Sequence, residues 1–343
     1  MRKLLNTLFI TSEKAFLSLQ GETVYVEIDK KKVGQFPLHT LEGIICFSYN
    51  GATPAFMGAC AERNVNLSFF TPHGKFLCRV VGESCGNVLL RKQQYRISDN
   101  MDESCKVARN FILGKVYNSR WSIDRTVRDH ELRIDVEKCK DVIKYLNDAM
   151  IKIKDTGNLD SLRGMEGESA SLYFSVFDDL ILNQKETFKF KGRTRRPPLD
   201  EVNAMLSFGY TLLTNDCAKA LEGVGIDSYV GFMHRDRPGR KSLALDLMEE
   251  LRPVLVDRFV LTLINNRQIK GQHFRTSESN AIEFTDEGKK IFLTAWQEHK
   301  REEFKHPYLN EKVNWGLLPH IQALLLARFI RGDIEEYPPF LWK

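Results

Sequence analysis

No run of eighteen apolar residues occurs anywhere in the 343-residue chain, so the sequence offers no helix able to cross a bilayer. The opening "MRKLLNTLFITSEKAF" lacks the long apolar core and small-residue cleavage site of a secretory signal, and a cytoplasmic location with no membrane partner is expected. Cysteine is sparse and unpatterned: seven residues (46, 60, 78, 85, 105, 139 and 217), odd in number and without a C-x-x-C pair, signal neither a disulfide framework nor a thiolate zinc site. They are expected to be buried thiols. A P-loop, a dinucleotide-binding glycine fingerprint and a G-x-S-x-G elbow are also missing, which argues against a nucleotide-driven motor, a dehydrogenase and a serine hydrolase. Neither charge sign dominates: a net +5 permits an anionic partner without demanding one.

With 43% hydrophobic and 28% charged residues, the chain has the composition of an ordinary globular protein and the length for two domains. Its texture changes near residue 90. Before that point come short pieces rich in Val, Phe, Ile and Thr: "NTLFIT", "GIICFS", "NLSFFT", "FLCRVV", and "AFLSLQGETVYVEI", which breaks at Gln20-Gly21-Glu22 like a β-hairpin. Only "ATPAFMGACAERN" among them reads as a helix. After residue 90 the apolar period lengthens toward 3.6, with Asp200 and Thr285 as natural helix N-caps and Gly223 as a stop. The expected fold class is α+β: a small β-rich domain over 1–90, then a larger all-helical domain over 91–343, with surface loops near 188–198 and 270–280.

The stretch "GFMHRDRPGRKSLALDLMEELRP", residues 231–253, stands out. Pro238-Gly239 makes a turn, Ser242 is placed to cap a helix, and Pro253 is expected to end it. Leu243, Leu247 and Leu251 share one face; Asp246 and Glu249 share another, with Cβ atoms roughly 5–6 Å apart. Because such a helix is only about 15 Å long, the loop before it can bring His234 beside those acids. A third acid comes from "LRGMEGESASLYFSVFDDLIL", where Glu166 extends the apolar face of Ala170, Tyr173, Phe177 and Leu180. Glycines 164 and 167 flank it and suggest close approach of another backbone or of a substrate. Glu166, His234 and Glu249, with Asp246 beside them, are an oxygen and nitrogen set suited to Mg²⁺ or Mn²⁺. The Asp246/Glu249 pair is also what the wet face of an amphipathic helix looks like.

Basic residues gather in three places: Arg235, Arg237, Arg240 and Lys241 after His234; Lys189, Lys191, Arg193, Arg195 and Arg196 in one loop; and Arg109, Lys115, Arg120, Arg125 and Arg128 along the first long helix. Positive clusters beside candidate metal ligands suit a phosphodiester, although a generic solvated surface looks the same. Tyr173, Tyr210 and Trp121 can stack on bases or simply fill a core.

Taken together, "LRGMEGESASLYF", "RRPPLDEVNAMLSFGYTLL", "VGIDSYVGFMHRDRPGRKSLALDLMEELRP" and the following "VDR" resemble the CRISPR adaptation integrase and endonuclease, the first of the numbered Cas proteins (Cas-one). The likeness runs along essentially the whole chain and is greatest to the bacterial form of type I-C systems. It implies a metal site of Glu166 from the Gly-x-Glu-Gly helix, His234 from Gly-Phe-x-His, and Glu249 fifteen positions on, where some members carry aspartate. Asp246 then falls in an accessory catalytic place, and Asn203 and Tyr210, in "N-x-x-L-S-x-G-Y", support the site together with Tyr173. Arg235, Arg237, Arg240, Lys241, Arg252, Arg193, Arg195 and Arg196 are the expected DNA contacts.

The implied reaction joins a 3′-hydroxyl of a captured DNA fragment to a phosphodiester at a CRISPR repeat boundary. The implied partners are prespacer and repeat DNA, a second copy of the chain through the β-rich domain, and the small Cas-two protein, whose dimer two integrase dimers flank. A Cas-four exonuclease is a further implied partner. A metal-dependent nuclease acting on branched or single-stranded DNA would use the same ligands without joining strands, and a DNA-binding scaffold would need none of them.

Overall fold

The computed structural model describes residues 6–82 and 88–343. The chain divides into two compact units: Met1–Cys85 with Glu283–Glu302, and Gly86–Ile282 with Glu303–Lys343.

The first unit holds two sheets. One has the order β1 (Thr7–Ile10), β5 (Gly43–Cys46), β6 (Asn66–Phe70), β7 (Phe76–Arg79); the first three strands are parallel and the last antiparallel. The other is the antiparallel meander β2 (Ala15–Gln20), β3 (Thr23–Ile28), β4 (Lys31–Pro37), in which Gln20 pairs with Thr23 across the two-residue Gly21-Glu22 turn. Alternation along β2 and β3 buries Ala15, Leu17, Val24 and Val26, while β5 and β6 are buried at nearly every position, Ser68 included, as strands covered on both sides are. α1 (Pro54–Glu62) is capped by Thr53, whose hydroxyl accepts from Phe56 N, with Pro54 at the first helical position.

α9 (Asp286–Arg301) groups with this unit and not with the helical domain of 91–343 that the sequence predicts for it. Its contacts explain the change: Lys289 Nζ lies 5.5 Å from the Phe47 ring centroid, and Arg301 donates to Asn6 Oδ1 at 3.0 Å. The thiols at Cys46 and Cys60 are buried, but Cys78 is exposed, contrary to expectation, because β7 is an edge strand on which Leu77 beside it is exposed too. Cys85 lies outside the described residues.

The second unit is a helical assembly around α3 (Met101–His130), which packs on α4 (Val136–Asp155), α5 (Leu159–Ser175) and α7 (Ser242–Arg252). α2 (Val88–Asp99) precedes it, and Asn100 caps α3 by accepting from Asp102 N and Glu103 N, a contact worth about 1 kcal/mol. α6 (Glu201–Gly223) is capped by Asp200 and also packs on α7. The unit is not wholly helical: Glu303–Lys305 and Lys312–Asn314 pair antiparallel, drawn together by the Phe304 ring stacked on Trp315 with centroids 3.9 Å apart.

Two local expectations are corrected around α7. Ser242 is the first helical residue and Lys241 the cap, so the serine hydroxyl does no capping. Pro253 does not end the helix: a π-helical turn, Pro253–Asp257, carries it into α8 (Arg258–Asn265). Proline removes one amide donor, and the wider turn absorbs the loss, with Arg258 N reaching Pro253 O while Asn118 Nδ2 of α3 satisfies the Glu250 carbonyl at 2.8 Å.

Gly114 lets α3 and α7 meet: a Cβ there would stand 2.8 Å from Glu250 Cβ. Glu250 itself is fully buried and fastens the C-terminal segment, accepting from Tyr337 OH, from Gln322 Nε2 at 3.1 Å and from Phe340 N at 2.7 Å.

Candidate active site

Glu166 on α5 and Glu249 on α7 meet at a single lysine. Lys115 of α3 pairs with Glu166 Oε1 and, at 2.7 Å, with Glu249 Oε2. This lysine was expected to belong to a basic surface cluster, but its side chain is only 6% exposed. The "FILGKVY" run places it on the inward side of α3, where it is partnered by acids from two other helices. Arg252 donates to the same Glu249 oxygen. Burial would raise the Glu249 carboxyl, yet Arg252, Lys115 and His234 together hold it well below the usual carboxylate range.

The acids of α7 are not a wet face: Asp246 is fully buried and Glu249 nearly so. The Asp246 carboxylate instead organises the loop before the helix. Its Oδ2 accepts from Phe232 N at 2.7 Å and Met233 N at 3.0 Å, and its Oδ1 from His234 N at 3.0 Å. The same Oδ1 lies 2.5 Å from His234 Nδ1. An ionised carboxylate only accepts, so Nδ1 donates to it, and Nε2 is the ring nitrogen that Asp246 does not engage.

Gly231 makes this wrap possible, since a Cβ there would stand 2.8 Å from both Asp246 Oδ2 and Ser242 Cβ. Arg163 of α5 locks the loop from the other side, donating from Nε at 2.8 Å and Nη2 at 2.6 Å to the Met233 carbonyl. With its oxygens so engaged, Asp246 has little capacity left to bind an ion and serves to fix the imidazole.

Behind Glu249 lies a second polar group. Tyr210 donates to Asp257 Oδ1 at 2.5 Å, and the guanidinium groups of Arg193 and Arg252 lie 5.3 and 5.4 Å from its ring centroid. Burial pushes the Asp257 carboxyl up to about 6, against the pull of Tyr210, Arg252 and Arg193. Tyr173 is buried nearby, and burial raises its phenol well above the ordinary value.

Asn203 is fully buried and braces the 188–198 loop, donating to Gly192 O at 2.8 Å and accepting from Arg193 Nη1 at 2.6 Å and Thr194 N at 3.0 Å. Arg193 also reaches Ser207 Oγ at 3.0 Å, so its guanidinium is spent on the loop and on Tyr210. Arg195 and Arg196 remain exposed, as do Arg235 and Arg237; Arg240 and Lys241 are half-buried. Arg235 makes only a surface bridge to Asp160, 3.1 Å away.

Two expectations about α5 change. The helix ends at Ser175, so Phe177 and Leu180 are buried from the turns that follow it. No protein atom stands within 4 Å of a Cβ built at Gly164 or Gly167, so these glycines do not serve contact with another backbone. The sequence gives no sign of Arg163 and Asp257, and it shows Lys115 only as one of a row of basic residues. Lysine inside the apolar "FILGKVY" run was the one available signal.

Two carboxylates and an imidazole suit a hard or borderline divalent ion, and water or phosphate oxygens can complete its shell. Among the described residues no three acid, histidine or cysteine side chains are gathered closely enough to cage an ion alone. Even so, each candidate ligand keeps a donor atom with no protein partner among the described residues: Glu166 Oε2, Glu249 Oε1 and His234 Nε2. The donor chemistry therefore fits.

The fold, with one β-rich unit and one helical unit, is already seen among solved structures. The structure of a casposase bound to integration product superposes with a TM-score of 0.84 over 98% of this chain and 93% of that one, at 23% identity. The Cas6-RT-Cas1–Cas2 complex superposes at 0.83 over all of this chain and 36% of that one, at 20% identity. The family model described as CRISPR associated protein Cas1 matches residues 8–298. The CRISPR-associated endonuclease Cas1 1 of Chlorobaculum tepidum is 47% identical over the full length of both chains. The chain belongs to the Cas1 family.

Proposed function

We propose that this protein is an integrase of CRISPR spacer acquisition, acting by transesterification with Mg²⁺ or Mn²⁺ at Glu166, His234 and Glu249. The observation that carries this reading is the meeting of two buried or half-buried carboxylates from separate helices beside an imidazole that Asp246 holds through Nδ1, with Nε2 the nitrogen left for coordination. The fragment's 3′-oxygen attacks the repeat phosphorus, one P–O bond forms as another breaks, and the displaced 3′-oxygen takes up a proton. No nucleotide hydrolysis is needed, in keeping with the missing P-loop. A divalent cation, when bound, supplies Lewis-acid polarisation of the phosphoryl oxygen.

The chain's own groups set the stage. Asp246 holds the His234 Nδ1 proton and aims the ring. Exposed Arg235, Arg237, Arg195 and Arg196 meet the DNA backbone, while Arg252 and Arg193 act from inside by steadying Glu249 and Tyr210. The assembly that goes with this reading is a homodimer flanking a Cas2 dimer, with a Cas4 exonuclease trimming fragment ends in a type I-C setting. The Cas2 part draws support from the complex named above. No helix among the described residues is long and apolar enough to cross a membrane, consistent with work on cytoplasmic DNA.

The test is strand transfer of an end-labelled short duplex into a supercoiled plasmid bearing a repeat, with the small Cas partner present. A joined product supports the integrase. Metal-dependent cleavage that joins nothing favours a nuclease with the same ligands.

A further inference from the structure

We infer that Lys115 is a positioning residue for the divalent ion: one buried ammonium that grips the far oxygen of both carboxylates and so presents their near oxygens together. The inference rests on the divalent reading of the site above, and it concerns a residue that reading does not use.

Three observations carry it. First, the pairing is divided oxygen by oxygen. Lys115 holds Glu166 by Oε1 and Glu249 by Oε2, the oxygen that Arg252 also holds. Glu166 Oε2 and Glu249 Oε1 have no partner among the described residues.

Second, the amine is buried with Glu249. Its side chain is 6% exposed and that of Glu249 5%, against 20% for Glu166 and 17% for His234, the two groups that reach toward solvent. Third, the pattern repeats on the third ligand: Asp246 fixes His234 by Nδ1 and leaves Nε2 without a partner. All three candidate ligands are thus held by one end and offered by the other, the arrangement by which outer groups orient a metal's inner ligands.

The charge count agrees. Glu166 and Glu249 are balanced by Lys115 and Arg252 before any ion arrives, so the buried acids are tolerated in the metal-free protein. An added divalent ion then leaves the site net positive, which suits a phosphodiester.

The experiment is a Mn²⁺ titration read by the EPR signal of the free ion, at pH 8 and without DNA, on the full-length protein and its Lys115→Met variant. The core variant Val116→Ala, on the same helix with both ion pairs intact, gives the effect of destabilisation alone. Lys115→Met is expected to bind Mn²⁺ at least about tenfold more weakly than the parent, with Val116→Ala within about twofold. Should Lys115→Met fail to fold, Lys115→Gln, which keeps a neutral donor, carries the same comparison. Binding by the lysine variant that is equal to or tighter than the parent's overturns the inference, since Lys115 would then be a bystander or a competitor. Absence of Mn²⁺ binding by the parent overturns the divalent site itself and this inference with it.

Discussion

Asp246 and His234 are joined by a 2.5 Å contact between Oδ1 and Nδ1, and the same carboxylate takes the amide protons of residues 232, 233 and 234. One buried acid thus sets both the path of the loop and the tautomer of the ring. Asp246→Asn keeps the shape but puts an amide where several donors converge. We expect a 10–100-fold loss of strand joining. Asp246→Ala leaves those buried donors unpaired, at about 1–3 kcal/mol each, and should lower stability by more than about 3 kcal/mol in urea unfolding. Unchanged joining in Asp246→Asn would contradict the positioning role.

A glycine comparison separates packing from substrate space. Gly114→Ala forces a Cβ to 2.8 Å from Glu250 Cβ and is expected to cost about 1–3 kcal/mol. Gly164→Ala and Gly167→Ala meet nothing within 4 Å and should leave stability unchanged or raise it by up to about 1 kcal/mol. If those two variants nevertheless lose joining, the open space beside Glu166 is used by substrate; thermal melts beside the joining assay decide.

The pH profile of stability should carry the mark of Glu250. Burial raises its carboxyl from 4.5 to about 7, against the hydrogen bonds from Tyr337, Phe340 and Gln322. The folded state binds the proton more tightly than the unfolded chain, so this contribution is full below about pH 4.5 and is lost as pH rises to about 7. The loss is about 3 kcal/mol. Asp257, raised from 3.8 to about 6, adds a fall in the same direction over a lower window. In Glu250→Gln the Glu250 part of the slope should vanish; urea midpoints measured from pH 4.5 to 7.5 give the answer.

Exposed and buried arginines should behave differently toward DNA. Arg235→Ala and Arg237→Ala are expected to weaken binding and to lower the salt slope by about 1 each. Arg193→Ala removes contacts to Asn203, Ser207 and Tyr210, so it should loosen the 188–198 loop with little change in salt slope. Filter binding across a salt series, with proteolysis of the loop as a control, distinguishes them.

Much of this was legible in the chain because the signals were local. The Gly21 hairpin, the Asp200 and Thr285 caps and the nearness of His234 to the acids of α7 depend on residues within a few turns of one another. What was not legible depends on partners far away in sequence. Lys115 looked like surface charge because the acids that bury it lie 51 positions away in Glu166 and further still in Glu249.

Pro253 looked like a stop because proline usually ends a helix, and neither the π turn that continues this one nor the Asn118 side chain of α3 on the Glu250 carbonyl is visible in local pattern. α9 has ordinary amphipathic periodicity, and nothing in that pattern says which unit supplies its partners, Phe47 and Asn6. Asp246 could be given only an accessory place, because spacing shows which residues can meet but not how many donors a carboxylate already serves.

The measurement that bears most directly on the central claim compares two labelled duplexes, one ending in 3′-hydroxyl and one in 3′-dideoxy, offered with a repeat-bearing plasmid to the parent protein and to His234→Ala. The account predicts joined product only for the 3′-hydroxyl duplex, only with Mn²⁺ or Mg²⁺, and only with the parent protein. Joining that persists in EDTA or in His234→Ala, or label released into solution from both duplexes alike, would contradict transesterification at this site.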